Sequence, residues 1–169
     1  MSNYNNIFEI KPERIDNLSN VTQLANNVTK LHLENNKSYD FVNEIIEEMC
    51  NLYDNERLKG KDNHSILETL EQFLANKKQN PVDIINICLN DQINPIIQII
   101  LASCYYYGKW VEEVEHKAFI YYQKSAEMGN IKGINNVGYC YQNGIGVEKD
   151  EHKAFIYYQK SAEMGILKE

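Results

Sequence analysis

The chain has 169 residues, 43% apolar and 24% charged, which suffices for one packed domain with a loosely attached end. Its net charge of −7 argues against nucleic acid as a partner, because clustered Lys and Arg are needed to neutralise phosphates, and against docking on an anionic membrane. No apolar run approaches the ~18 residues that span a bilayer. The N-terminus MSNYNNIFEIKPER lacks the basic-then-apolar pattern of a secretory signal, so the expected setting is cytoplasmic.

Residues 1–11 are rich in Asn and read as a disordered end. Pro12 suits the first turn of a helix. Ile15, Leu18, Val21, Leu24, Val28 and Leu31 then recur every three or four residues, which predicts a helix over Pro12–Glu34. That helix either packs on the body or binds a partner. Asn35-Asn36-Lys37-Ser38 predicts a break, and Phe41, Val42, Ile45, Ile46, Met49, Leu52 and Tyr53 form the stripe of a second helix, Tyr39–Arg57. Glu44, Glu47 and Glu48 fall mostly on its other faces and read as a solvated surface.

A loop at 59–63 precedes a helix from about His64 to Asn76, with Ile66, Leu67, Leu70, Phe73 and Leu74 inward. Pro81 opens a short helix to Leu89, completing an αα-hairpin, and Pro95 starts a further helix. The domain reading is therefore a helical capping region over 12–92, followed by two repeats over 93–169, at about 95–129 and 131–165.

The repeats declare themselves through EHKAFIYYQKSAEMG, which occurs at Glu115–Gly129 and, identical at all fifteen positions, at Glu151–Gly165. The 36-residue offset also superposes Leu101–Gly108 on Val137–Gly144, so each unit is a first helix, a loop and a second helix. Gly144 and Gly165 are expected to end helices with positive φ, and Gly146 to relax the loop. Asp150 can cap the helix that follows. Ala118, Phe119, Tyr122 and Ala126 share one face, as do their counterparts Ala154, Phe155, Tyr158 and Ala162. The alanines allow close approach and the aromatics fill volume. Cys50, Cys88, Cys104 and Cys140 have wide spacings and no CxxC pair, which predicts buried reduced thiols.

Asn135–Gly165, NNVGYCYQNGIGVEKDEHKAFIYYQKSAEMG, resembles a Sel1-like repeat, a tetratricopeptide-like helix-loop-helix unit. The family pattern falls on Val137, Gly138, Tyr141, Gly144, Gly146, Val147, Asp150, Ala154, Tyr158, Ser161, Ala162 and Gly165. The resemblance implies an all-α superhelix, a solenoid with N-terminal capping helices. The first copy departs from the pattern in its loop. Trp110 replaces the glycine at Gly146, so the loop is expected to bend differently, and Val114 replaces the capping Asp. Trp110 either packs the loop or anchors a partner. The region upstream, with INPIIQIILASCYYYG, resembles the segment joining kinase domains to Sel1-like repeats in filamentous-fungal families. No Gly-rich loop, HRD or DFG motif is present.

In tetratricopeptide-like stacks the first helices line the concave surface. The candidate partner-binding residues are Ser103, Tyr106, Trp110, Asn135, Asn136, Tyr139 and Gln142, since amides bond an extended peptide and tyrosines add area at low entropy cost. The leading expectation is a non-catalytic protein–protein interaction scaffold or adaptor, with signalling as its setting, a protein or peptide partner and no cofactor or metal. One alternative is a regulatory subunit or kinase-less tail of a signalling enzyme. Another is a β-lactamase-like repeat enzyme. It is weakened because the cysteine-rich relatives carry cysteine where this chain has Ala126 and Ala162. The face beyond the last repeat is expected to be bare and open to self-association.

Overall fold

The computed structural model describes residues 12–90 and 93–166, and among them are seven helices and no strand. Residues 1–11, including the expected disordered end, lie outside the described residues. The helices are α1 (Pro12–Leu58), α2 (Asn63–Asn76), α3 (Pro81–Cys88), α4 (Pro95–Tyr107), α5 (Glu115–Glu127), α6 (Ile131–Asn143) and α7 (Glu151–Ile166).

The break expected at residues 35–38 does not occur, because Pro12–Leu58 is one helix of 47 residues. Asn and Ser cost only a few tenths of a kcal/mol each in a helix. Between Pro12 and Leu58 there is neither a glycine nor a second proline to stop it. The chain divides into two compact units at residues 43 and 44, inside this helix. In the first unit, all side chains of residues 23–30 are exposed, Leu24 and Val28 among them, and Thr29 Oγ1 donates to the Ala25 carbonyl at 2.9 Å.

The second unit, Glu44–Glu169, contains the repeats. Ile45, Met49 and Tyr53, spaced i, i+4, i+8 on the C-terminal part of α1, are buried. Short, capped helices follow. Asp62 accepts from the Ser65 amide, Asn80 from Val82, Asn94 from Ile96 and Ile97, and Asn130 from Lys132 and Gly133. Pro81 and Pro95 occupy first-turn positions where their missing N–H costs nothing. α2 and α3 pack on α4, and then α4, α5, α6 and α7 each pack on the next.

The two repeats reuse the same contacts. Tyr105 stacks on Tyr121 with ring centroids 5.5 Å apart, and Tyr141 stacks on Tyr157 at 5.7 Å. Lys117 sits 4.9 Å from the Tyr105 ring and Lys153 5.2 Å from Tyr141, in the same relation. Phe119 meets Tyr141 edge-on at 5.5 Å and so joins the first repeat to the second. Ala118, Phe119, Tyr122 and Ala126 are all buried, and so are the four cysteines.

The loops correct two expectations. Trp110 has φ +64 and Gly146 φ +65, so the loop with tryptophan follows the same path as the loop with glycine. The hydrogen bonds agree: Val114 N–H donates to the Tyr105 carbonyl at 2.9 Å and Asp150 N–H to the Tyr141 carbonyl at 2.8 Å. What differs is the surroundings. A Cβ on Gly146 would lie 2.1 Å from the Glu115 carbonyl oxygen, so no side chain fits there. Trp110 instead extends toward α2, where its indole N–H donates to Glu71 Oε1 at 3.2 Å. Second, Gly165 does not end its helix with positive φ. α7 runs through it to Ile166, whereas Gly108 and Gly144 do adopt the left-handed caps at φ 62 and 74. Val114 makes no side-chain cap to α5, while Asp150 Oδ1 accepts from the Lys153 amide at 2.9 Å.

Candidate functional site

A cavity of about 270 Å³ opens within the second unit. Its lining comes from five places in the chain. The C-terminal turn of α1 supplies Arg57, and the start of α2 supplies Asp62 and Asn63. The end of α4 supplies Tyr106 and Tyr107, α5 supplies Tyr122, and α6 with its following loop supplies Asn135, Asn136, Tyr139 and Ile145. The helix geometry explains why α6 contributes three: Asn135, Asn136 and Tyr139 lie at i, i+1 and i+4, within one face of an α-helix. The buried side of the same helix is Gly133, Ile134, Val137 and Cys140.

The floor is a chain of hydrogen bonds. Tyr53 Oη donates to Asn63 Oδ1 at 2.8 Å, and Asn63 Nδ2 donates to Tyr122 Oη at 3.3 Å. Tyr122 Oη lies 3.2 Å from Ser103 Oγ, which donates to the Ile99 carbonyl at 2.8 Å. Burial pushes the Tyr53 and Tyr122 phenols well above the ordinary tyrosine range, so both stay neutral hydrogen-bonding groups. A network with its members bonded to one another holds Asn63 and Tyr122 in fixed positions.

The walls are less spent. Tyr106 and Tyr107 meet edge-on at 4.7 Å, and Tyr107 meets His64 at 5.1 Å. Burial, then the neighbouring Tyr139, pushes Tyr106 up to about 12. Tyr107 is raised by burial and then by the Asp62 charge. Arg57 Nη1 donates to the Lys61 carbonyl at 2.9 Å. Asp62 caps α2 through the Ser65 amide, the main reason its carboxyl sits below the usual range. One cation and one anion therefore face the cavity, together with neutral amides and phenols.

Of the residues singled out from the sequence, the cavity brings together Tyr106, Asn135, Asn136 and Tyr139. The other three are elsewhere. Ser103 is fully buried beneath the floor, bonded to Tyr122 and Ile99, and meets no partner from there. Its position on α4 faces α5 because that helix is buried on nearly every side from Ile97 to Tyr105. Trp110 lies against Glu71, beside Lys109, whose Nζ pairs with Glu71 Oε2 at 2.8 Å. Gln142 is exposed and accepts from Tyr158 Oη at 2.7 Å. Sequence reasoning missed Arg57, Asp62, Asn63, Tyr107, Tyr122 and Ile145. Asp62 had a usable signal, an Asp just before an apolar helical stripe. Tyr122 was assigned wholly to packing, and it does both.

Cys104 and Cys140 offer no nucleophile at neutral pH, because burial raises the Cys104 thiol strongly and that of Cys140 to about 12. Among the described residues no three of His, Cys, Asp and Glu gather where they would hold a metal ion, and no helix is long and apolar enough to cross a membrane. His116 and His152 are exposed, and His116 Nδ1 lies 3.0 Å from the Gly146 carbonyl.

Residues 98–130 and 131–166 match the sequence model of the Sel1 repeat, so the chain carries two such repeats. Among solved structures, the chain is similar to a Sel1 repeat protein from Oxalobacter formigenes, at 28% identity, covering 52% of this chain and 68% of that one with a TM-score of 0.47. It is also similar to cysteine-rich protein B of Helicobacter pylori, at 22% identity, covering 73% and 88% with a TM-score of 0.49. No curated protein matches.

Proposed function

We propose that this protein is a non-catalytic scaffold whose cavity receives a segment of another protein in extended form. The observation that carries the reading is the pair Asn135 and Asn136 on the exposed face of α6, beside Tyr106, Tyr107 and Tyr139. An asparagine amide offers donors and an acceptor at once, the complement of a peptide group. Tyrosine hydroxyls and ring faces add contact area with few rotors to freeze. A volume near 270 Å³ lies at the low end for ligand sites, which suits one or two side chains of a peptide. The bonded floor of Asn63 and Tyr122 supplies rigidity, which lowers the entropy cost of binding.

In this reading α2 and α3 serve as the N-terminal cap of the stack, supported by their packing on α4. A cytoplasmic setting is supported by the burial of all four cysteines as thiols, which suits a reducing compartment. The test is affinity capture with mass spectrometry on the intact protein, repeated with Asn136→Ala and with Tyr139→Ala. Partners lost in both variants support the cavity as the site. Capture of the same partners at the same yield by both variants rules it out.

A further inference from the structure

The turn between α1 and α2 is dense in charge, with Asp54, Glu56, Arg57, Lys59, Lys61 and Asp62 close together in sequence. All but one of these charges are taken up inside the molecule. Glu56, which is buried, holds Lys59 Nζ at 2.6 Å and Lys61 Nζ at 2.5 Å. Asp54 holds Lys132 of α6 at 2.5 Å. Asp62 spends its carboxylate on the first turn of α2, accepting from the Ser65 amide at 2.8 Å, where the helix dipole also balances its charge. Arg57 is the exception. Its guanidinium gives one N–H to the Lys61 carbonyl, and no carboxylate among the described residues lies within ion-pair distance of it.

Arg57 is half-buried and lines the cavity. Its charge reaches both floor and wall, since it lowers the Tyr53 and Tyr107 phenols against the upward push of burial. A guanidinium carries five N–H donors, so most of its capacity remains for a ligand. Asn135 and Asn136 line the same space from α6, and their side-chain amides make no hydrogen bond among the described residues. Asn63, by contrast, is spent on Tyr53 and Tyr122.

The charge of the ligand is bounded. Asp62 raises the Tyr107 phenol and Glu115 that of Tyr106, so two anions at the wall oppose a third. One cation against them balances a single negative charge. That fits a carboxylate, which pairs with the guanidinium fork, and disfavours a phosphate dianion, whose sites gather several arginines. A carboxylate at a chain end is captured by a nest of backbone N–H groups. The N–H groups at the start of α2 are already capped by Asp62. A carboxylate on a side chain is the ligand that remains.

We propose that the cavity is selective for an acidic residue within the partner segment, whose side-chain carboxylate pairs with Arg57 while Asn135 and Asn136 bond the neighbouring peptide groups. The proposal rests on the reading of the cavity as a peptide site and adds the residue that the site selects.

The probes are two blocked tripeptides, acetyl-Ala-Glu-Ala-amide and its twin with Gln in place of Glu. Each is titrated to about 20 mM into the nitrogen-labelled full chain, and NMR follows the Arg57 Nε–H and the side-chain amides of Asn135 and Asn136. The expected result is a saturable shift of all three by the Glu probe, with the Gln twin binding about tenfold or more weaker. In Arg57→Gln, checked by an unchanged circular dichroism spectrum, the two probes should bind alike. The twin comparison on the wild type tests the proposal even where that variant does not fold. If both probes shift the asparagine amides equally in the wild type, the selectivity is overturned while the peptide reading stands. If neither shifts them, the peptide reading falls and the proposal with it. If acetyl-Ala-Gln-Ala with a free terminal carboxylate binds as tightly as the Glu probe, the cavity takes chain ends, and the proposal is overturned.

Discussion

Replacing Gly146 by alanine isolates what glycine does in the repeat. The backbone there has φ +65, where an L side chain costs about 1–2 kcal/mol. The new Cβ would also lie 2.1 Å from the Glu115 carbonyl oxygen, 2.5 Å from its carbon and 2.7 Å from His116 Cα. Those are backbone atoms at the start of α5, so no side chain can swing aside, and relief by backbone shift costs about 1–3 kcal/mol. Alanine restricts the unfolded chain and returns about 0.4–1 kcal/mol. The expected loss is about 2–4 kcal/mol. Trp110→Ala is the control, because it keeps φ +64 and removes the half-exposed contacts of the indole with Glu71 and Lys109. Its cost is expected to be under about 1 kcal/mol. Urea denaturation followed by far-ultraviolet circular dichroism measures both, the first as a midpoint lowered by about 1–2 M. If Gly146→Ala costs no more than Trp110→Ala, the close approach to α5 is not what requires glycine.

Three further outcomes follow from the same contacts. Phe119→Ala should cost about 3–5 kcal/mol and Phe155→Ala under about 1 kcal/mol, since the residues are equivalent in sequence but buried and exposed respectively; equal losses by denaturation would contradict the packing described. Val114→Asp should add the missing cap to α5 and raise stability by about 1 kcal/mol, read from the same urea midpoint. Acid should weaken the fold through Glu56, Glu71, Asp62 and Asp150. Their carboxyls are lowered by the hydrogen bonds of Lys59 and Lys61, by those of Lys109 and Trp110, and by the Ser65 and Lys153 amides, respectively. A lowered folded-state pKa gives stability that is present above the unfolded-state value, near 4, and lost as pH falls through the folded-state value. Stability measured from about pH 6 down to pH 2 should therefore fall, and less steeply for Glu56→Gln.

The helical solenoid was legible because periodicity and the 36-residue offset are local signals, and glycine and aspartate mark the ends of each unit. α1 was misread because Asn and Ser reduce helix propensity without forbidding a helix, and the absence of Gly and Pro mattered more. The loop at Trp110 was misread because tryptophan rarely takes positive φ, yet the space beside α2 lets it. The cavity was half legible. Tyr106, Asn136 and Tyr139 follow from helix faces, while Arg57, Asp62 and Asn63 come from outside the repeats and reach the cavity only through tertiary packing. Ser103 failed as a candidate because α4 is enclosed on both sides, which a single helix pattern does not reveal.

The identity of Glu115–Gly129 with Glu151–Gly165 also bears on how this chain tolerates changes in length. Removing any 36 consecutive residues whose first falls within Glu115–Gly129 gives one and the same shorter protein, because the joined ends restore the repeated segment. That protein keeps α4 followed by its own packing helix, together with Ser103, Tyr122 and their bond to Asn63. It loses Asn135, Asn136 and Tyr139, and with them one wall of the cavity. Recombination between the two copies would thus keep the contacts inside one repeat while taking away a wall of the cavity.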